Sequence, residues 1–202
     1  MGFEAGGITP DLIDMISLVE RAYEREVDDK YLEELRAFVA NPIKGMSGGA
    51  QKYAERGAHQ LSSSLDAYNN AEDKKLWRDY LDASYAELFL GVTPLSTEPV
   101  ESCYLNEEHT LYAKQFFQVK ELMDSCGFAI PDDFKEPADH IAMEMLFFIF
   151  LLREKPETAL QFKEDHMDKW FEEACKFIVD TDDVGFYSGI ANLTRAFMTE
   201  IR

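Results

Sequence analysis

Glu136, His140 and Glu144 recur at intervals of four residues, which places two carboxyl groups and an imidazole on one face of a helix. With His166 further along the chain, they could hold a single metal ion or serve an enzyme. A di-iron centre of the ferritin type needs Glu-x-x-His on facing helices. Three residues before His59, His109, His140 and His166 stand Arg56, Asn106, Pro137 and Lys163, so the sequence excludes that centre. Covalent catalysis would need a nucleophile beside a positioned base. Ser102 and Cys103 have no glycine-flanked elbow and nothing ties them to a histidine, so no catalytic residue is assigned. Gly45-Met46-Ser47-Gly48-Gly49 lacks the Gly-Lys-Ser/Thr ending of a phosphate loop and follows no strand; it reads as a connection. A purely structural reading stands beside the chemical one: Asp139 caps a helix, His140 is a satisfied histidine, and the carboxyls are polar anchors.

These groups sit at the entry of the stretch Lys135 to Leu152, whose second half, Met145 to Leu152, is eight consecutive apolar residues. A helix apolar on every side is buried on every side. Bracketed by Glu144 and Arg153, the run falls well short of the roughly 20 residues a membrane span needs. Pro137 suits the first helical position, and Asp139 and His140 then fall in the electropositive first turn. Other helices are predicted from Pro10 to about Tyr23, Tyr31 to Val39 with Asn41-Pro42 as its stop, and Gln51 to Tyr68, less apolar and placed at the surface. A further helix runs from about Glu72 to Leu90, with Gly91 as its C-cap and Trp77, Tyr80, Leu81, Ser84 and Leu88 on one stripe. Val92 to Asn106 reads as an irregular connection. Next come Glu107 to Cys126, with Tyr112 and Phe116 facing inward, and a loop from Phe128 to Lys135. Lys155-Pro156-Glu157 ends one helix and starts another, which puts His166 and Trp170 one turn apart. A last helix carries Phe186 to Ile201, with Gly189 where two helices come close. No segment has a period of two, so the chain reads as all-α, a single compact multi-helix domain over residues 1–202.

Among 202 residues, 39 are acidic and 20 basic, a net charge of −19 that disfavours nucleic acid and anionic lipid and favours cationic partners. The three widely spaced cysteines, Cys103, Cys126 and Cys175, form neither a disulfide framework nor a Cys-x-x-Cys motif, which implies a reducing compartment. Met1 to Gly7 carries no basic residue, so no targeting signal is read there and the cytoplasm is expected.

Glu136-Pro137-x-Asp139-His140, followed by an acidic residue and a long apolar run, resembles the signature of the TorD/DmsD family, cytoplasmic chaperones for molybdenum-containing anaerobic reductases. In the same order, Tyr85-x-Glu87-Leu88-Phe89-x-Gly91, Glu101-Ser102-x-Tyr104, His166-x-x-x-Trp170 and Phe186-Tyr187 resemble that family's segments, with Tyr85 standing where some relatives carry tryptophan. The resemblance covers roughly Leu81 to Ile201. It implies a TorD-like helical bundle and a non-enzymatic chaperone, with no cofactor of its own. Such a chaperone binds the twin-arginine signal peptide, the apo form, or both, of a molybdopterin oxidoreductase and assists cofactor insertion before export. It further implies that Glu136, Pro137, Asp139 and His140 meet the signal peptide, with Tyr85, Leu88 and Phe89 as the apolar wall. The family is associated with guanine-nucleotide binding, for which this sequence offers no motif. The linkers at Val92 to Asn106 and Phe128 to Lys135 suggest a monomer with a minor domain-swapped dimer. A helical metal-binding protein or enzyme using the Glu136/His140/Glu144 face is the alternative.

Overall fold

The computed structural model describes residues 9–41, 44–90 and 99–202. Among them are ten α-helices and one 3-10 turn, and no strand. Helix α1 (Pro10–Glu24) starts where Thr9 accepts the Leu12 N–H, with Pro10 supplying a helical φ at no cost in donors. Helix α2 (Asp29–Ala40) is capped by the Asp28 side chain. Helices α3 (Gly48–Asn70) and α4 (Lys74–Phe89) follow, the latter capped by Asp73. The stop at Pro42 and the C-cap at Gly91 lie outside the described residues.

A short helix, α5 (Glu101–Leu105), occupies what the sequence offers as an irregular connection. Five residues are too few for an apolar period to register. Helix α6 (Lys114–Cys126) begins seven positions later than its pattern suggests and ends at Gly127, whose φ of 77° is the left-handed conformation that glycine adopts without strain. The residues before it are drawn away from the helix by Asn106, whose amide nitrogen donates to Thr110 O at 2.9 Å while its oxygen accepts the Glu108 N–H at 2.9 Å. Tyr112 consequently sits outside α6 with φ 58° and is 55% exposed, not inward-facing; Phe116 is half-buried. Tyr80, read as part of the apolar stripe of α4, is exposed.

Helix α7 (Ile141–Glu154) is the buried centre. It packs lengthwise on α1, with α8 (Pro156–Asp165) beside it. A 3-10 turn over Met167–Lys169 and helix α9 (Phe171–Thr181) replace the single long helix expected after Pro156. Helix α10 (Phe186–Glu200) lies against α3, α9 and α1. The α3–α10 pairing is the most extensive in the molecule. This corrects the surface placement of α3: its inward face is Ala50, Ala54, Gly57, Ala58, Leu61, Ser64 and Leu65, in which small side chains outnumber the two leucines and contribute closeness rather than bulk. Gly57 and Gly189 mark the closest approach, where a Cβ on Gly57 would come within 2.8 Å of the Gly189 carbonyl oxygen. No helix of the described residues is long and apolar enough to cross a membrane.

Candidate functional site

The Glu136-Pro137-x-Asp139-His140 segment is not the first turn of α7. It is a turn ahead of the helix, closed by the His140 N–H on Pro137 O at 3.0 Å, and His140 itself is the N-cap. Its Nδ1 accepts the Ala142 N–H at 3.2 Å. Asp139, the more usual capping residue, is engaged elsewhere: its Oδ2 accepts the Ser102 N–H at 2.9 Å and also the Ser102 hydroxyl. Glu136 therefore lies outside the helix, exposed, and the four-residue spacing of Glu136, His140 and Glu144 produces no shared face. Among the described residues no group of three or more His, Cys, Asp or Glu side chains is placed to hold a metal ion.

Helix α5 is stitched to this entry turn. The Glu101 N–H donates to Asp139 O at 2.8 Å, the Ile141 N–H donates to Pro99 O at 2.8 Å, and Val100 and His140 form an isolated antiparallel bridge. The seam buries its side chains as well. Glu101 Oε2 lies 2.9 Å from His166 Nδ1, and Trp170 Nε1 donates to Glu144 Oε2 at 3.2 Å while its ring packs on Tyr104 at 5.1 Å. These two contacts explain why the helix breaks between His166 and Trp170: each side chain is turned to a different buried carboxyl. The spacing of His166 and Trp170 does not announce that they meet the separate carboxyls Glu101 and Glu144, nor that Ser102 meets Asp139. The Glu101-Ser102-x-Tyr104 segment was the available signal.

Burial sets the protonation of this cluster. It raises the Glu144 carboxyl well above its usual range, and the Glu101 and Asp139 charges push the same way. Burial also raises Asp139, against the lowering effect of the Ser102 hydrogen bonds. The His140 imidazole is pushed down to about 3 by burial. An unfolded histidine protonates near pH 6.5, so between about pH 6.5 and 3 the unfolded chain binds the extra proton. The stability due to a neutral His140 is complete above about pH 6.5 and lost as the pH falls toward 3. His140→Asn, which caps without titrating, is expected to flatten this acid limb when urea midpoints are compared from pH 4 to 8. An unchanged acid slope would show that another group drives it.

The expected apolar wall is the C-terminal part of α4. Tyr85, Leu88 and Phe89 are all buried, and Phe89 packs against Tyr187 at 5.2 Å, Tyr85 at 5.1 Å and Tyr23 at 5.6 Å. The Tyr85 hydroxyl reaches Tyr23 O at 3.3 Å. Its phenol is raised, first by burial and next by the Glu136 carboxylate, so turn and wall are electrostatic neighbours. Pro137, Asp139 and His140 are buried, which leaves Glu136 as the member of the set at the surface.

The matching family model is that of the nitrate reductase delta subunit, over residues 50–176. The chain is 29% identical to the chaperone protein TorD of Shewanella sp. (strain ANA-3), covering 91% of this chain and 88% of that one. With TorD of Photobacterium profundum the identity is 32%, over 68% of this chain and 71% of that one. Among solved structures, a crystal structure of an Archaeoglobus fulgidus protein assigned to redox enzyme maturation shares the fold. Its TM-score is 0.54 at 18% identity, with 96% of this chain and 97% of that one covered. The chain belongs to the TorD family of chaperones, a family that is not enzymatic.

Proposed function

We propose that this chaperone acts in the cytoplasm on the catalytic subunit of a molybdopterin oxidoreductase, holding its twin-arginine leader, its apo form, or both until cofactor insertion is complete and export can follow. Residues 1–202 act as one helical unit, monomeric with a minor domain-swapped dimer. What supports the reading is the family membership together with the exposed carboxylate of Glu136 on the entry turn, whose charge also reaches the Tyr85 phenol. Glu136 offers an exposed carboxylate to an arginine, while Pro137, Asp139 and His140 shape the turn from within.

Magnitudes divide the labour. Micromolar affinity corresponds to about 8 kcal/mol, and an exposed arginine–carboxylate pair contributes about 0–1 kcal/mol. Burying on the order of 500 Å² of a leader's apolar stretch gives roughly 12 kcal/mol gross, before the cost of ordering the peptide. Apolar contact therefore holds the leader once the buried Leu88 and Phe89 are uncovered to it, and the acidic surface speeds its encounter. In stopped-flow binding of a labelled leader, Phe89→Ala or Leu88→Ala is expected to weaken binding more than Asp139→Asn or Glu136→Gln, each variant first shown folded by urea titration. Salt is expected to slow association more than it hastens release. The reading fails if no leader binds, or if the charge variants outweigh the apolar ones.

A further inference from the structure

Glu144 is a carboxyl with no exposed surface, on the one helix that is apolar almost throughout. Its Oε2 is held by Trp170, whereas its Oε1 has no hydrogen-bond partner among the described residues. A buried, half-satisfied carboxylate is costly, and a neutral carboxyl far less so. Two of the elements around it add to the pressure. From α5 comes Glu101, itself against His166 from the end of α8, and from the entry turn comes Asp139, held by Ser102. The corner between α8 and α9 contributes the Trp170 N–H, and Lys163 of α8 is turned away to Asp168. On α1, Tyr23 bonds Thr194, and Glu20 is set among Glu24, Arg21 and Arg25. Among the described residues no cation from these elements compensates Glu144, while two other carboxyls face it.

We propose that the proton on Glu144 is a latch: it lets the Glu101 and Asp139 carboxyls lie against α7, and its release to solvent frees α5 from the α7 entry as a local opening. With Glu144 ionised, three carboxyls would share a pocket closed to water, and the element least secured would leave. That element is α5, five residues long, held to the α7 entry by hydrogen bonds of the Glu101 and Ile141 N–H groups and of Ser102 on Asp139, and otherwise by Glu101 on His166 and Tyr104 on Trp170. The open state gives a proton to water, so rising pH favours it above the ordinary carboxyl range. Opening withdraws Tyr104 from Trp170 and bares the entry turn. The latch goes beyond the leader reading and does not depend on it, because no client takes part in its test.

Hydrogen exchange of the full chain across pH 5 to 9, corrected for the intrinsic rate, reads the opening directly. Protection of the Glu101, Ser102 and Ile141 amides is expected to fall by up to about tenfold per pH unit in the window where one proton is lost, with Leu61 and Ile190 in α3 and α10 unchanged. In Glu144→Gln, which keeps an acceptor for Trp170 and cannot ionise, the same three amides should stay protected throughout. Should that variant not fold, Glu144→Met serves the same purpose. Flat protection in the wild type overturns the latch, as does an equal fall at Leu61 and Ile190, or a fall that survives the loss of the Glu144 carboxyl.

Discussion

Truncating Phe147 to alanine is expected to cost about 3–5 kcal/mol, a large part of the roughly 5–15 kcal/mol that keeps a typical domain folded. Phe147 has no exposed surface and sits on the buried helix α7. Phe162 of α8 meets its ring edge-to-face at 5.0 Å, and Phe128, ahead of α7, approaches it at 5.2 Å. A cavity there is walled by side chains fixed on separate elements, so collapse recovers little. In urea titrations the midpoint should fall with the slope unchanged, since the same surface is exposed on unfolding. A loss under about 1 kcal/mol would show that the surrounding rings close the gap.

Gly57→Ala has a sign that two opposing effects decide. Alanine in place of a mid-helix glycine favours the helix by about 1 kcal/mol. Against this, the added Cβ would stand 2.8 Å from the Gly189 carbonyl oxygen and 3.0 Å from Leu193 Cγ. The first is backbone, so relief requires α3 and α10 to separate along their whole seam, and overpacking of that kind costs about 1–3 kcal/mol or more. A net loss of up to about 2 kcal/mol is expected. Gly48→Ala, in the first turn of the same helix with nothing within 4 Å of its Cβ, isolates the favourable effect and should not destabilise. If both substitutions stabilise, the two helices are free to move apart and the glycine contact does not set their distance.

What the sequence reveals of this fold follows the range of the forces involved. Local punctuation at Thr9-Pro10, Asp73, Gly127 and Lys155-Pro156 lies where helices start or stop, because caps and φ restraints act within a turn. Helix α7 is legible for a similar reason, since eight adjacent apolar residues have one destination. Its first residue is not legible, because Asp139 is withdrawn from capping by Ser102, 37 positions earlier. The break at His166 to Trp170 depends likewise on Glu101 and Glu144, which no local pattern announces. Helix α3 is misplaced by hydropathy because alanine and glycine weigh little on any apolar scale, although they permit the closest packing in the molecule. Of the expected site, the turn and wall residues are drawn from family resemblance; burial of all but Glu136 is what no local pattern announces. The exposed Tyr112 and Phe117 carry no sequence signal that separates them from the inward residues of α6.

The pairing of α3 with α10 also dictates when this protein can finish folding. Tyr23 bonds Thr194 from 171 positions away, Asn192 bonds Gln60 from 132, and Ser64 bonds Val184 from 120. During synthesis the small-residue face of α3 is made early and its cover is made late. Helices α1 to α9 emerge with that face open, and the distant contacts that close it carry the entropy cost that slows folding. A nascent chain paused before Phe186 would thus expose Leu61, Leu65 and the alanines beside them, a surface suited to capture by other chaperones or to aggregation. A chaperone of this topology is among the proteins in which a late helix must be made before an early one can settle.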